Sequence, residues 1–514
     1  MMTGSVHDPA RVLHRLPWRR EDLADDRRAV TFIDGPSYTR GELRTAVEER
    51  ERILREGGIR AGGRVCLLLD NGRDFVLDLL ALSAIGAVTV PLNTALRGRA
   101  FVQTLEIMGP CLVRVERAYQ ELVESCADEL AETAAFWFVD EPGSGTEAEA
   151  ITEPRPEDLA LIMLTSGTTS LPKGVMWSHQ MAITFAEQTT WVMGYDQNDV
   201  IFTCLPLFHI NALLCALYPA LLTGAEVVIA PRFSASQFWT QIVDSHATTV
   251  NMMGAIPAVM WSRATEPIER SHSIRLGMVL PLPADRVEFE SRFGFQTTET
   301  YGSTDTGLPL GIPFGQRRPG SCGLPTPGWQ VAIVDEYDEP VTSGELGELV
   351  TRPTTPYIGQ LGYWRQPELT LEAMRNQWFH TGDLLTQDAE GWFTYHGRRK
   401  DMVRVSGENV STLAVEATLL EHPAVLEAAV FGVPSELGED AIAVAIVLRE
   451  GHTVEPVELR AFAAGNLPYF AVPRFIGFLA ELPKTSTQKV MKATLQDTGV
   501  ASVYWDGGRP RRTP

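Results

Sequence analysis

The stretch Leu164 to Val175, read as LTSGTTSLPKGV, has the residue types of an anion cradle. Gly167 and Gly174 let backbone amides come close to an anion. The hydroxyls of Thr165, Ser166, Thr168 and Thr169 donate hydrogen bonds, and Lys173 adds a mobile positive charge. The spacing is not that of a Walker loop, because G-x-x-x-x-G-K-[ST] is absent and no Ser or Thr follows the lysine. Alone, such a stretch is as readily a solvated loop. Four more polar stretches follow it: YGSTD at 301–305, WFHTGD at 378–383, GRRKD at 397–401 and PKTSTQK at 483–489.

A cradle needs a strand to hold it, and Leu159 to Leu164 (LALIML) is an apolar run of strand length. Upstream, residues 41–56 have helical spacing and stop at Gly57-Gly58. Val65 to Leu69 reads as a strand, Asp74 to Ile85 as a helix and Ala87 to Val90 as a strand, an alternation that predicts a parallel sheet in an α/β layer. Residues 141–156 read as a loop. Beyond the cradle, His179 to Val192 predicts a helix, Val200 to Pro206 a strand and Ala212 to Leu222 a helix, with Leu207 to Asn211 (LFHIN) at the junction. Ala225 to Ile229 and Thr249 to Met253 predict strands, and 294–311 reads as turn-rich. Gln330 to Val334 and Glu348 to Thr351 predict strands of a smaller β unit. Near residue 397 the rhythm restarts as a compact α+β unit beyond a charged connector. The expected organisation is an N-terminal domain at 1–397, a hinge at 398–402, a C-terminal domain at 403–500 and a disordered tail at 501–514.

At 514 residues the chain exceeds a single hydrophobic core. Its net charge of -21 argues against nucleic acid or an anionic membrane as partner. Cys66, Cys111, Cys126, Cys204, Cys215 and Cys322 are scattered without a CxxC pair, which predicts free buried thiols in a reducing compartment. No apolar segment of signal-peptide or membrane-spanning length is present, so the expected location is cytoplasmic.

The five polar stretches, in this order, resemble the motifs of the adenylate-forming superfamily. It holds acyl- and aryl-CoA synthetases, peptide-synthetase adenylation domains and luciferases, and the chain is closest in character to acyl-CoA ligases. The resemblance runs from Tyr38 to about Leu495. It implies an α/β fold: a large N-terminal domain of α/β layers with a small β unit, and a smaller mobile α+β C-terminal domain. It also implies two half-reactions. A carboxylate attacks the α-phosphate of ATP to give acyl-AMP and pyrophosphate; the small domain then turns, and CoA takes the acyl group.

Two anions must meet in the first step, so cations and oriented amides have to cancel their repulsion. By resemblance, the cradle from Thr165 to Lys173 takes the β- and γ-phosphates. Thr300, Tyr301, Gly302 and Thr304 line the nucleotide, with Tyr301 stacked on adenine and Thr304 beside the α-phosphate. Asp383 takes the ribose hydroxyls, Arg398 also reaches the ribose, and Lys489 bridges carboxylate and α-phosphate. Asp305 and Thr168 are the expected Mg²⁺ contacts, and Lys400 is the expected hinge. Ser406, Gly407 and Glu408 are expected to line the CoA tunnel, with His209 as a gate to the acyl pocket. His209, Asn211, Met253, Gly254, Met278, Gly302 and Pro309 outline that pocket. They include no lysine, arginine or acid, which implies an apolar monocarboxylic acid that can be bulky, not a dicarboxylate or an amino acid.

Three departures cluster on the first half-reaction. The family's metal-binding Glu is Asp305, Met278 and Val279 are bulky where small residues are expected beside adenine, and Gln488 replaces the glycine before Lys489. Ser170 replaces another glycine. Besides a complete ligase, three readings stay open: a half-enzyme using acyl-AMP from a separate adenylating enzyme, an enzyme loading a carrier protein, and a non-catalytic binder of acyl-AMP or CoA.

Overall fold

Apolar strand-length runs assemble into two mostly parallel sheets in a computed structural model. It describes residues 8–109, 111–142, 153–165, 172–282, 285–399, 402–405, 408–434, 440–484, 490–498 and 504–508. The first sheet runs Ala134–Phe138, Cys111–Val115, Arg64–Leu68, Val88–Pro91, Leu159–Thr165 and Lys173–Ser178, and only the last pairing is antiparallel. The second runs Gln296–Thr298, Leu276–Leu280, Thr249–Met253, Val200–Thr203, Glu226–Ile229, Arg28–Phe32 and Ser37–Thr39, again antiparallel only at the end.

Parallel sheets bury both faces, and period-two alternation divides the side chains between them. Val65 and Leu67 join the main core with Val227 and Val250 of the other sheet, while Cys66 and Leu68 join a second cluster behind. The helices Arg73–Ile85 and His179–Met193 are buried on most of their surface and feed the same main core. The first is apolar on most of its surface, whereas the second also buries polar side chains, among them His179, Gln180, Thr184, Gln188 and Thr189.

Mostly antiparallel strands follow, the pairing of Asp440–Leu448 with Phe475–Phe478 being parallel. Trp329–Val334, Gly347–Pro353, Phe379–Gln387 and Phe393–Arg398 form one sheet, the expected β unit enlarged to four strands. Val425–Pro434, Asp440–Leu448, Phe475–Phe478 and Tyr504–Asp506 form another, packed with the helices Thr412–Leu420 and Pro456–Asn466. The clusters of this last unit share no residue with the main core. No described helix is long and apolar enough to cross a membrane. All six cysteines are free.

Three local expectations need correction. The turn-rich segment contains strands Gln296–Thr298, Thr300–Ser303 and Gly307–Gly311, whose shortness hid them among glycines. The helix expected at 212–222 is broken by a π-helical turn at Leu213–Leu217. Within the segment expected to be a disordered tail, Tyr504–Asp506 adds an edge strand. Tyr504 packs on Phe431 at 6.2 Å, and Asp506 pairs with Arg474 at 2.9 Å.

Candidate active site

The cradle's two strands, Leu159–Thr165 and Lys173–Ser178, form an antiparallel hairpin whose outermost pair is Thr165 and Lys173. Gly174 is required by packing, since a Cβ there would meet Ile162 at 2.8 Å and Trp364 at 3.2 Å. Residues 361–364 lie along the hairpin: the Leu361 N–H donates to the Met176 carbonyl at 2.8 Å, and the Trp364 N–H to the Gly174 carbonyl at 2.7 Å. This brings the Tyr363 ring under Lys173, whose Nζ is 5.0 Å from the ring centroid.

The hairpin of Thr300–Ser303 and Gly307–Gly311 carries Thr304 and Asp305 at its tip. Ser303 and Thr306 brace the turn, each backbone N–H donating to the other's hydroxyl at 3.2 and 3.1 Å. At Gly302 a Cβ would meet the Gly307 carbonyl at 2.6 Å, so only glycine fits. Two bonds tie this tip to the cradle hairpin. The fully buried Trp177 donates its indole N–H to the Thr304 carbonyl at 2.9 Å. The Tyr363 hydroxyl donates to Asp305 Oδ1 at 2.6 Å. Burial, and then the Asp305 carboxylate, push the Tyr363 phenol well above its ordinary range, so it remains a donor.

Asp383 and Arg398 face each other in register across neighbouring strands, with Arg398 Nε 3.4 Å from Asp383 Oδ1. The Tyr301 hydroxyl donates to Asp383 Oδ2 at 2.5 Å. Burial and the Asp383 charge hold this phenol protonated, and burial pushes the nearby Glu299 carboxyl up to about 7. Lys173, Thr304, Asp305, Tyr301, Asp383 and Arg398 are thus linked through side chains from three separate sheets.

The expected acyl end lies where the second sheet meets the segment 207–217. His209 precedes the helical turn Ile210–Ala212 in extended conformation (φ -101), its ring 4.5 Å from that of Phe208. Burial lowers the His209 imidazole to about 4, and its Nε2 has no hydrogen-bond partner among the described residues. The π-turn that follows frees backbone carbonyls, a geometry frequent at functional sites. The Cys215 carbonyl accepts from Tyr195 Oη at 3.1 Å and from Asn251 Nδ2 at 3.2 Å. Asn211 accepts from Asn251 at 3.3 Å and lies 4.0 Å from the Met278 sulfur. Gly254 adopts φ +62 and donates to the Leu280 carbonyl at 2.8 Å; Met253 is half-buried and Pro309 buried. Met278 and Val279 do not form one bulky face: both are buried in the main core on alternate faces of Leu276–Leu280.

Ser166, Gly167, Thr168, Thr169, Ser170, Lys400, Ser406, Gly407, Gln488 and Lys489 lie outside the described residues; Glu408 opens the strand Glu408–Ser411. Sequence reasoning missed Trp177, Asn251 and Tyr363. A polar Asn251 inside the apolar run TVNMM was the one available signal. Among the described residues no cluster of three or more His, Cys, Asp or Glu forms a metal site. Asp305 nevertheless fits a Mg²⁺ that arrives on phosphate oxygens, since such an ion needs only one or two protein carboxylates and Oδ2 is not used by Tyr363.

The family described as AMP-binding enzyme matches residues 18–364, and that described as AMP-binding enzyme C-terminal domain matches residues 414–489. The crotonobetaine/carnitine–CoA ligase of Salmonella paratyphi A is 29% identical over 504 residues, covering 93% of this chain and 98% of that protein. Among solved structures, ATP-bound MatB from Rhodopseudomonas palustris is similar with a TM-score of 0.84 and 25% identity, covering 95% of this chain and 99% of that one. The o-succinylbenzoate CoA synthetase MenE of Bacillus subtilis, in complex with AMP, gives a TM-score of 0.82 at 25% identity, covering 97% and 99%.

Proposed function

The chain belongs to the AMP-binding enzyme family, and from that premise we propose that it is a complete AMP-forming acyl-CoA ligase for a largely apolar carboxylic acid. The observation that carries this reading is the bonded linkage of the phosphate hairpin, the Thr304–Asp305 tip and Asp383 through Trp177, Tyr363 and Tyr301. Side chains that must act on one nucleotide are held to one another before it binds, which lowers the reorganisation needed in the transition state.

In this reading Thr165 and Lys173 hold the β- and γ-phosphates, Lys173 being steered by the Tyr363 ring. Thr304 orients the α-phosphate, and Asp383 accepts from the ribose hydroxyls with Arg398 alongside. Asp305 would hold Mg²⁺, which supplies neutralising charge on the phosphates. Lys489 approaches the acyl carboxylate and α-phosphate for adenylation and leaves for the thiol step. His209, neutral at physiological pH, screens the acyl pocket from the thiol path without adding charge. Ser406, Gly407 and Glu408 line the pantetheine path, and Lys400 is the pivot.

The test supplies ATP, Mg²⁺, CoA and a panel of aryl and aliphatic acids, and measures AMP and acyl-CoA together. Equal, acid-dependent formation of both products is expected. AMP release without thioester would reject CoA as acceptor and favour a carrier protein.

A further inference from the structure

We propose that the far end of the acyl pocket is closed by Asn211 and Asn251 and selects acids carrying an uncharged hydroxyl remote from the carboxylate. This rests on the ligase reading above and deepens it. Asn251 stands in register with Met278 on the neighbouring parallel strand, and Met253 with Leu280. Residues in such register share a face, so Asn251 and Met278 lie below Met253 on the side that Asn211 covers. Asn251 is two residues, roughly 7 Å, beneath the strand's C-terminal end, where ligands of parallel sheets sit. That depth is about the length of an aromatic ring or a short alkyl chain.

Asn251 is fully buried on the strand face that it shares with Thr249, also fully buried, and the half-buried Met253. Its Nδ2 donates to the Asn211 side chain and to the Cys215 carbonyl, which fixes the amide so that Oδ1 points elsewhere. That Oδ1 has no partner among the described residues. Among the described residues Asn211 Nδ2 reaches only the Met278 sulfur, a weak acceptor at 4.0 Å. One orphaned acceptor and one weakly used donor therefore stand on two side chains bonded to each other. A hydroxyl satisfies both, donating to Asn251 and accepting from Asn211. A purely apolar acid satisfies neither, and sites built around a buried hydrogen-bonding group reject analogues that lack the partner. Among the described residues no lysine, arginine, aspartate or glutamate is bonded to either asparagine, so none of them supplies a counter-ion here.

The experiment compares matched acids differing by one terminal hydroxyl: 3-phenylpropanoate against its 4-hydroxy derivative, and hexanoate against 6-hydroxyhexanoate. In the wild type, kcat/KM should favour the hydroxylated member at least tenfold in the pair of fitting length. In Asn251→Leu the preference should fall below twofold. Asn211→Leu, which leaves the Asn251–Cys215 bond intact, serves if Asn251→Leu melts early, and the same loss of preference is expected. Equal use of both members by the wild type, or preference surviving in the folded variants, overturns the proposal. Absence of turnover with every acid overturns the ligase reading itself.

Discussion

Tyr363 holds Asp305: its hydroxyl donates to Oδ1 at 2.6 Å while its ring carries the Lys173 ammonium 5.0 Å from the centroid. One side chain thus contacts both the carboxylate proposed for the metal site and the lysine proposed for the phosphate site. On the proposed reading, this neighbour fixes the orientation of the shortened carboxylate and would leave Oδ2 for the ion.

Tyr363→Phe separates these two roles, since it keeps the ring and removes the donor. A hydrogen bond to a charged group contributes about 1.5–3 kcal/mol, so ATP–pyrophosphate exchange should fall by about 10- to 100-fold. The Mg²⁺ concentration for half-maximal exchange should rise in parallel. Thioester formation from supplied acyl-AMP should stay within about twofold. An unchanged Mg²⁺ dependence would contradict this role.

Asp383→Asn leaves Arg398 without its carboxylate and the Tyr301 hydroxyl with a neutral acceptor. The expected result is a raised KM for ATP, about tenfold or more, with the KM for CoA little changed. Equilibrium binding of AMP to the variant checks it independently.

Trp177→Phe removes the indole N–H from the Thr304 carbonyl inside the main core. Loss of one buried hydrogen bond and some packing should cost about 1–3 kcal/mol, read as a lower urea midpoint. Adenylation should slow further than stability alone explains, because the Thr304–Asp305 tip loses one of its two ties.

His209 sets a pH dependence of stability. Its folded imidazole titrates at about 4, against 6.5 when unfolded, so the unfolded chain binds the proton first. Its contribution is present above about pH 6.5 and is lost as pH falls toward 4. His209→Asn should therefore gain on the wild type in urea midpoint as pH drops from 7 to 5. Parallel pH dependences would show that the ring is not held neutral.

Much of the frame was legible because it is local. LALIML announces the cradle strand, and Gly86, at φ +79, stops the helix Arg73–Ile85 where the sequence marks it. Thr304, Asp305 and Asp383 stand in short motifs, and hydrogen bonds through Trp177, Tyr363 and Tyr301 join them across sheets. What escaped was non-local. Tyr363 is 58 residues from Asp305 and Trp177 is 127 from Thr304, and no periodicity links such pairs. The strand Tyr504–Asp506 looked like tail because its partners, Phe475–Phe478 and Arg474, are distant in sequence. Asn251 sits in a run so apolar that its side chain's partner, the π-turn carbonyl of Cys215, had to be seen.

The central claim is that one chain performs both half-reactions despite Asp305, and assaying them separately on one purified sample tests it most directly. Acid-dependent ATP–pyrophosphate exchange reports the first; synthetic acyl-AMP with CoA, followed as acyl-CoA, reports the second. Activity in both, with Lys489→Ala losing exchange and keeping thioester formation, is the predicted result. Thioester formation without any exchange, across acids whose acyl-AMPs are accepted, would contradict it and assign adenylation to a partner enzyme.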